Sequence, residues 1–164
     1  IGFLARINTR GAVEDQEAVR MHNLLSIADS PPALVNSECT VDEAVKAMSE
    51  HRVGAAVVVN GDALQGIFTE RDVMLRVVRE GLDPAKTRVS DVMTTNVECI
   101  NADVEPANAL EVMVRRRYRH LPVCDQGKIV GVLSSRHVLR GEVNRLLSEL
   151  DSLEAFIMED GHGG

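Results

Sequence analysis

The segment Gly66-Ile-Phe-Thr69-Glu-Arg71-Asp72 combines residue types that can hold a nucleotide. An apolar run precedes this segment and a helical pattern follows it, so Thr69 is predicted to open a helix. The free N–H groups and partial positive charge at such a start attract phosphate. The Asp72 carboxylate could accept hydrogen bonds from two vicinal ribose hydroxyls, and Arg71 could neutralise a phosphate. Together these residue types suit a nucleotide ligand.

The same residues also fit a purely structural role. Thr69-x-x-Asp72 has the spacing of a capping box, in which Asp serves at the third helical position, and such a box needs no ligand. The two roles are compatible, because capping uses the Thr oxygen and one carboxylate oxygen. Both interpretations stay open from the sequence.

A gapless internal repeat surrounds this motif. At a constant offset of 65 residues, positions 40–73 fall on positions 105–138, and GIFTERD (66–72) falls on GVLSSRH (131–137). A unit of this length buries too little surface to fold well alone, so the two copies are predicted to pack together. Two like units that face each other create two like clefts.

Each copy is predicted to run strand–helix–strand–strand–helix. In copy one we expect strands at 33–35, 55–59 and 64–68, a helix that Thr40 and Glu43 cap and that runs to His51, and a second helix from Thr69 to Gly81. In copy two we expect strands at 97–100, 121–124 and 129–133, with a helix from near Pro106 to about Arg117. Residues 81–87 are predicted to link the copies.

Two segments fall outside the repeat. Residues 12–27 are predicted to form a helix. In the C-terminal stretch, an apolar residue recurs at heptad spacing, at Leu139, Val143, Leu146, Leu150, Leu153 and Ile157. This stripe must bury itself against its own chain or against a second copy, and both alternatives stay open. The predicted divisions are 1–23, 24–86, 87–141 and 142–164, with a disordered tail at 160–164.

Composition narrows the function classes. Apolar residues make up 45% of the chain and aromatic residues only 2%, with a net charge of −7. The core must therefore be aliphatic, and an acidic chain poor in aromatic residues is unlike a nucleic-acid binder. A local basic pocket for a small anion is still compatible with this balance.

The cysteines and histidines give no sign of redox or metal chemistry. Three cysteines without CxxC spacing favour reduced thiols, with Cys99 and Cys124 as small core residues. The histidines at 22, 51 and 162 share no metal-ligand spacing, and we expect no metal site and no catalytic residue. No apolar run reaches the length of a membrane span and no signal-peptide pattern opens the chain, so a cytoplasmic protein that does not bind membranes is expected.

Four segments together carry a family resemblance: TVDEAVKAM (40–48), VGAAVVVNGDALQGIFTERDV (53–73), VSDVMT (89–94) and YRHLPVCDQGKIVGVLSSRHV (118–138). They resemble the CBS domain, which occurs in tandem pairs called Bateman modules. The resemblance implies an α/β fold of two βαββα units around a pseudo-twofold axis, here with added N- and C-terminal helices. It implies a homodimeric regulatory sensor that is not an enzyme and needs no catalytic cofactor. The implied ligand is AMP, ADP or ATP, with S-adenosylmethionine or NADH as further possibilities.

The resemblance also implies binding residues. In copy one, Thr69 and Asp72 would hold ribose and phosphate with Arg71 nearby. Gly54 and Ala55, at the start of the middle strand, would line the cleft. The opening of the opposite copy, at Thr94, Asn96 and Val97, would close over the base.

Copy two departs from this pattern. Ser134 and Arg136 match, but His137 stands at the Asp position, and an imidazole cannot accept from two hydroxyls as a carboxylate does. Arg119 and His120 match family positions that can touch phosphate, although the cations from 115 to 119 also suit a solvated helix end. The two histidines could make this cleft pH-sensitive or make ordinary polar contacts. The alternative to a sensor is a structural dimerisation module without a ligand.

Overall fold

The computed structural model describes residues 24–160, and for residues 155 and 157–160 it describes the backbone only. Most of the predicted N-terminal helix therefore lies outside the described residues, and so does nearly all of the predicted tail. The described end of that helix is a short 3-10 turn at Leu24–Ser26, not an α-helix.

Copy one follows the predicted order. Strand β1 (Leu34–Asn36) leads to helix α1 (Val41–His51), then to strands β2 (Ala55–Asn60) and β3 (Ala63–Thr69). Helix α2 (Glu70–Asp72) continues directly as a π-helix (Val73–Val78), where a single α-helix was expected. Helix α3 (Val89–Val92) follows the linker. The capping box of Thr40 and Glu43 is present as predicted.

Copy two repeats the order with one shorter strand. Strand β4 (Ile100–Asn101) starts later than predicted, and helix α4 (Pro106–Arg116) has its proline in the first turn. Strands β5 (His120–Asp125) and β6 (Lys128–Ser134) form the hairpin. Helix α5 (Ser135–Asp160) is long and continuous.

The two sheets confirm the duplication. In each, the first strand pairs parallel with the middle strand, and the middle strand pairs antiparallel with the last. A register shift falls between Val58 and Val59 in one sheet and between Val123 and Cys124 in the other, at the repeat offset. The same local sequence pattern has thus produced the same irregularity twice.

A shared apolar cluster joins the units. Ala55, Val57 and Ile67 of copy one pack with Val132 of copy two, and all four are almost fully buried. The segment that leads into each unit also crosses to the other one. Thr94 pairs with Ile67 through two backbone hydrogen bonds of 2.9 Å, and Asp29 pairs with Val132 through bonds of 2.9 and 3.0 Å. These crossings place the lead-in residues beside the opposite hairpin.

The expectation of reduced thiols is wrong for two of the three cysteines. Cys99 and Cys124 form a disulfide, with their Cα atoms 6.0 Å apart, while Cys39 is free. Cys99 directly precedes β4, and the parallel pairing of β4 with β5 brings this segment close to Cys124, which lies opposite Asn101. That proximity is tertiary, and a sequence separation of 25 residues does not reveal it.

Helix α5 carries the predicted stripe. Leu139, Val143, Leu146, Leu150 and Leu153 are each at least half exposed. Against residues 24–160 of its own chain, the stripe therefore stays largely unburied. The side chain of Ile157 lies outside the description.

The helices within residues 24–160 include none that is both long and apolar enough to cross a membrane.

Candidate functional site: two clefts between the repeats

Two clefts open between the units. Cleft 1 is formed by the turn 69–72, the lead-in residue Thr94 and residues 117–120, and has a volume of about 400 Å³. Cleft 2 is formed by the turn 134–137, the lead-in residue Asp29 and residues 52–54, and has a volume of about 740 Å³. Both volumes fall in the range of small-molecule sites, roughly 300–1,000 Å³.

The clefts are built from equivalent parts. The turn 134–137 stands 65 positions after 69–72, residues 117–119 stand 65 after 52–54, and Thr94 stands 65 after Asp29. Glu70, Arg119 and His120 border both clefts. Each cleft thus joins the strand-to-helix turn of one copy to the start of the middle strand of the other.

Asp72 in cleft 1 has a structural role. Its Oδ2 accepts hydrogen bonds from the Thr69 backbone N–H at 3.0 Å and from the Thr69 hydroxyl at 2.7 Å. The Thr69 oxygen in turn accepts from the Asp72 N–H, so the predicted capping box is complete. The other carboxylate oxygen, Asp72 Oδ1, lies 3.4 Å from the Thr94 hydroxyl and 3.4 Å from Arg76 Nε. One carboxylate oxygen therefore serves the cap and the other faces the lead-in residue across the cleft.

Cleft 1 is electropositive although the chain is acidic. Four arginines line it, at 71, 76, 117 and 119, together with the carboxylates of Glu70 and Asp72. Arg76 is partly committed, since it donates to the backbone carbonyl of Val92 at 2.9 Å and to that of Met93. The other arginines give the cleft cations that can meet an anionic ligand.

Cleft 2 has only half of the same cap. The buried Ser134 hydroxyl accepts a hydrogen bond from the His137 backbone N–H at 3.2 Å. The second bond of a capping box, in which the side chain at position 137 would accept from the Ser134 backbone N–H, is not made by the imidazole. Instead His137 Nδ1 lies 3.7 Å from Asp29 Oδ2. This ring nitrogen is buried and has no hydrogen-bond partner among residues 24–160. Arg52, Arg119 and Arg136 line the same cleft.

His120 sits where the clefts meet, and burial lowers its pKa. The carboxylates of Glu70 and Asp29 act in the opposite direction, while His137 and Arg119 lower the pKa further. The net direction is downward, so the His120 ring is neutral at neutral pH. A neutral ring can both donate and accept a hydrogen bond in the site.

The structure sorts the predicted site residues into four groups. Cleft 1 holds Thr69, Arg71, Asp72 and Thr94, cleft 2 holds Gly54, Ser134, Arg136 and His137, and both include Arg119 and His120. Three predicted residues line neither cleft. Ala55 is buried in the shared apolar cluster, Val97 packs against that cluster, and Asn96 is exposed with a φ of 57°.

Sequence reasoning missed several lining residues, above all Asp29, Arg52 and Arg117. Arg52 and Arg117 both have left-handed backbone (φ 56° and 59°) at the ends of α1 and α4, which turns the chain into the clefts. A signal for Asp29 existed. Extending the repeat offset backward from residue 40 places Asp29 on Thr94, which was already a candidate.

Comparison with known proteins agrees with this architecture. A model of the family described as CBS domain matches residues 25–79 and 89–144. The meiotically up-regulated gene 70 protein of Schizosaccharomyces pombe is 39% identical over 118 residues, which cover 70% of this chain and 16% of that protein. The mitochondrial CBS domain-containing protein CBSX3 of Arabidopsis thaliana is 36% identical over 135 residues, 79% of this chain and 66% of that protein.

A solved structure of a protein with CBS domains from Burkholderia ambifaria superposes with a TM-score of 0.67 at 30% identity. The match covers 74% of this chain and 91% of that one. The chain spans 16% to 66% of the length of the two curated relatives above. Their similarity therefore bears on the paired repeats.

Proposed function

The chain belongs to the CBS-domain family, and we propose that it is a non-catalytic regulatory module that binds an adenosine nucleotide between its repeats. AMP, ADP and ATP are the proposed ligands, ahead of S-adenosylmethionine and NADH. Cleft 1, with Asp72, is the proposed principal site. Binding would be converted into a change in how the two units are held together.

One observation carries this proposal: two pseudo-symmetric clefts surrounded by arginines in a chain of net charge −7. An acidic surface with positive clefts concentrates small anions at the clefts and not elsewhere. In cleft 1 the cations lie near a carboxylate and two hydroxyls, the groups that suit a phosphorylated sugar.

The position of the clefts explains how a ligand could act as a signal. A ligand in either cleft contacts both copies, so it would favour the arrangement in which the copies are closest. A micromolar ligand has a binding free energy of roughly −8 kcal/mol. Only the difference between its binding free energies for two arrangements of the copies can shift the equilibrium between those arrangements. Helix α5 continues directly from the turn of cleft 2, and it is the element that would pass the change outward.

A thermal-shift panel of AMP, ADP, ATP, S-adenosylmethionine and NADH tests the proposal. A ligand at 100 times its Kd should add about 2.7 kcal/mol to the free energy of unfolding. Arg119→Ala should weaken the response, because Arg119 borders both clefts. Arg88→Ala is the matched control, since Arg88 is exposed and paired with Glu38. If no compound shifts the melting temperature, the sensor proposal fails.

A second candidate, a structural dimerisation module, is favoured by the exposed apolar stripe on α5. A stripe of this size in water needs a partner, and a second copy offers the same stripe across a twofold axis. We propose a homodimer under either function. Sedimentation should give about twice 17.9 kDa at tens of micromolar. A ligand-free dimer with no response to nucleotides would favour the structural role.

A further inference from the structure

Cleft 2 lacks an acidic residue at position 137, but it has one across the cleft. The lead-in residues Thr94 and Asp29 occupy equivalent places, each paired through its backbone with the last strand of the opposite copy. Cleft 1 therefore has a hydroxyl on the lead-in and a carboxylate on the turn. Cleft 2 has a carboxylate on the lead-in and an imidazole on the turn.

The two side-chain pairs lie at equivalent positions of the two clefts, and the separation within each pair is similar. Thr94 Oγ1 lies 3.4 Å from Asp72 Oδ1 in cleft 1, and Asp29 Oδ2 lies 3.7 Å from His137 Nδ1 in cleft 2. In cleft 1 the carboxylate belongs to the turn, and in cleft 2 it belongs to the lead-in residue on the opposite side of the cleft. Both carboxylates thus face a cavity bordered by Glu70, Arg119 and His120.

The Asp29 carboxylate is also less committed than that of Asp72. Asp72 accepts two hydrogen bonds from Thr69, and its side chain is only 10% exposed. Asp29 has 28% of its side chain exposed, and within residues 24–160 no hydrogen bond reaches its carboxylate. Its backbone, not its side chain, holds the lead-in on Val132. Apart from the 3.7 Å approach of its Oδ2 to His137 Nδ1, the carboxylate has no side-chain partner among residues 24–160, and Asp29 lines cleft 2.

We infer that Asp29 replaces the missing turn carboxylate in cleft 2 and accepts hydrogen bonds from the vicinal hydroxyls of a nucleotide ribose there. Arg52, Arg119 and Arg136 supply the cations for the phosphates of the same molecule. Cleft 2 is then a second ribonucleotide site despite His137. This inference rests on the proposed function, because it assigns the ribose contact for a ligand of that class.

The test measures ribose recognition in cleft 2 by calorimetry, with ATP and 2′,3′-dideoxy-ATP as probes. The background is the full chain with Asp72→Asn, which weakens ribose recognition in cleft 1. Adding Asp29→Asn should reduce ATP affinity about 10- to 100-fold, the usual loss of a charged hydrogen bond. Affinity for the dideoxy compound should not change. Asp125→Asn, at the end of β5 away from both clefts, is the matched control.

A double substitution that exchanges the positions of the acidic residue tests the same inference in a second way. Asp29→Thr with His137→Asp copies the arrangement of cleft 1 into cleft 2. It should regain the preference for ATP over the dideoxy compound that Asp29→Asn loses. Melting curves without ligand verify that each variant folds.

Three outcomes overturn the inference. Asp29→Asn could weaken both probes equally, which would give the carboxylate no role at the ribose. It could leave ATP binding unchanged, which would give it no role in binding. If neither ATP nor any other compound of the thermal-shift panel binds the unmodified chain, the proposed function fails together with this inference, whereas the first two outcomes leave the proposed function intact.

Discussion

Replacing Asp72 separates its structural role from its proposed ligand role. Asp72→Ala removes the acceptor for the Thr69 N–H and hydroxyl, and it removes the ion pair with Arg76. A lost cap and its hydrogen bonds cost about 1–2 kcal/mol. The Arg76 pair adds less than about 1 kcal/mol, because the Arg76 side chain is 46% exposed and solvent screens it. We expect the free energy of unfolding without ligand to fall by about 1–3 kcal/mol.

Asp72→Asn should behave differently. The amide oxygen can still accept from Thr69, so stability without ligand should change by less than about 1 kcal/mol. The amide has one acceptor oxygen where the carboxylate has two, and it carries no charge. If Asp72 also holds the ribose, nucleotide affinity should fall about 10- to 100-fold. Denaturant unfolding and calorimetry on both variants give the two quantities separately.

The result that refutes this reasoning is specific. Nucleotide affinity equal to that of the unmodified chain in Asp72→Asn, with lowered stability in Asp72→Ala, would make Asp72 a cap and nothing more. His137→Ala is the pseudo-symmetric control and should weaken binding less than Asp72→Ala. Equal losses from the two alanine variants would contradict the predicted difference between the clefts.

Three further predictions address packing, pH and association. Gly66→Ala should lower the free energy of unfolding by about 1–3 kcal/mol, because the added Cβ would lie 2.9 Å from Met93 Sδ and against the Thr94 carbonyl. Gly131→Ala should lower it less, since the nearest atom to its added Cβ is 3.2 Å away. Equal denaturation midpoints of the two variants would contradict this prediction. Because the folded-state pKa of His120 is lowered, the unfolded chain binds the extra proton below pH about 6.5, so stability should fall as pH falls through that region. His120→Gln should flatten this part of the pH profile, and an unchanged slope would show that another group is responsible. Leu150→Glu should weaken dimerisation in sedimentation while leaving monomer stability nearly unchanged, since Leu150 is 56% exposed. Truncation after residue 142 should likewise weaken dimerisation. A truncated protein that melts at a lower temperature but remains dimeric would instead show that the stripe packs against its own chain.

The local elements could be predicted from the sequence because their causes are local. The capping boxes at Thr40 and Thr69 are set by side chains three residues apart. The apolar run that became β2 indicates a strand covered on both faces. The 65-residue offset then assigned the same elements to copy two. The order of elements in each copy, the expectation of two like clefts and the difference between His137 and Asp72 at equivalent positions all followed from these patterns, whereas the fold class was implied by the resemblance to the CBS domain.

The membership of each cleft was decided by tertiary structure. Asp29 enters cleft 2 because its backbone crosses to Val132 of the other copy, a contact about a hundred residues distant along the chain. Ala55 was a predicted cleft residue, but inter-repeat packing buries it. The Cys99–Cys124 disulfide likewise depends on which strands become neighbours. Capping and periodicity act within a turn or two of the chain, whereas these contacts depend on how two finished units pack, and no local pattern encodes that.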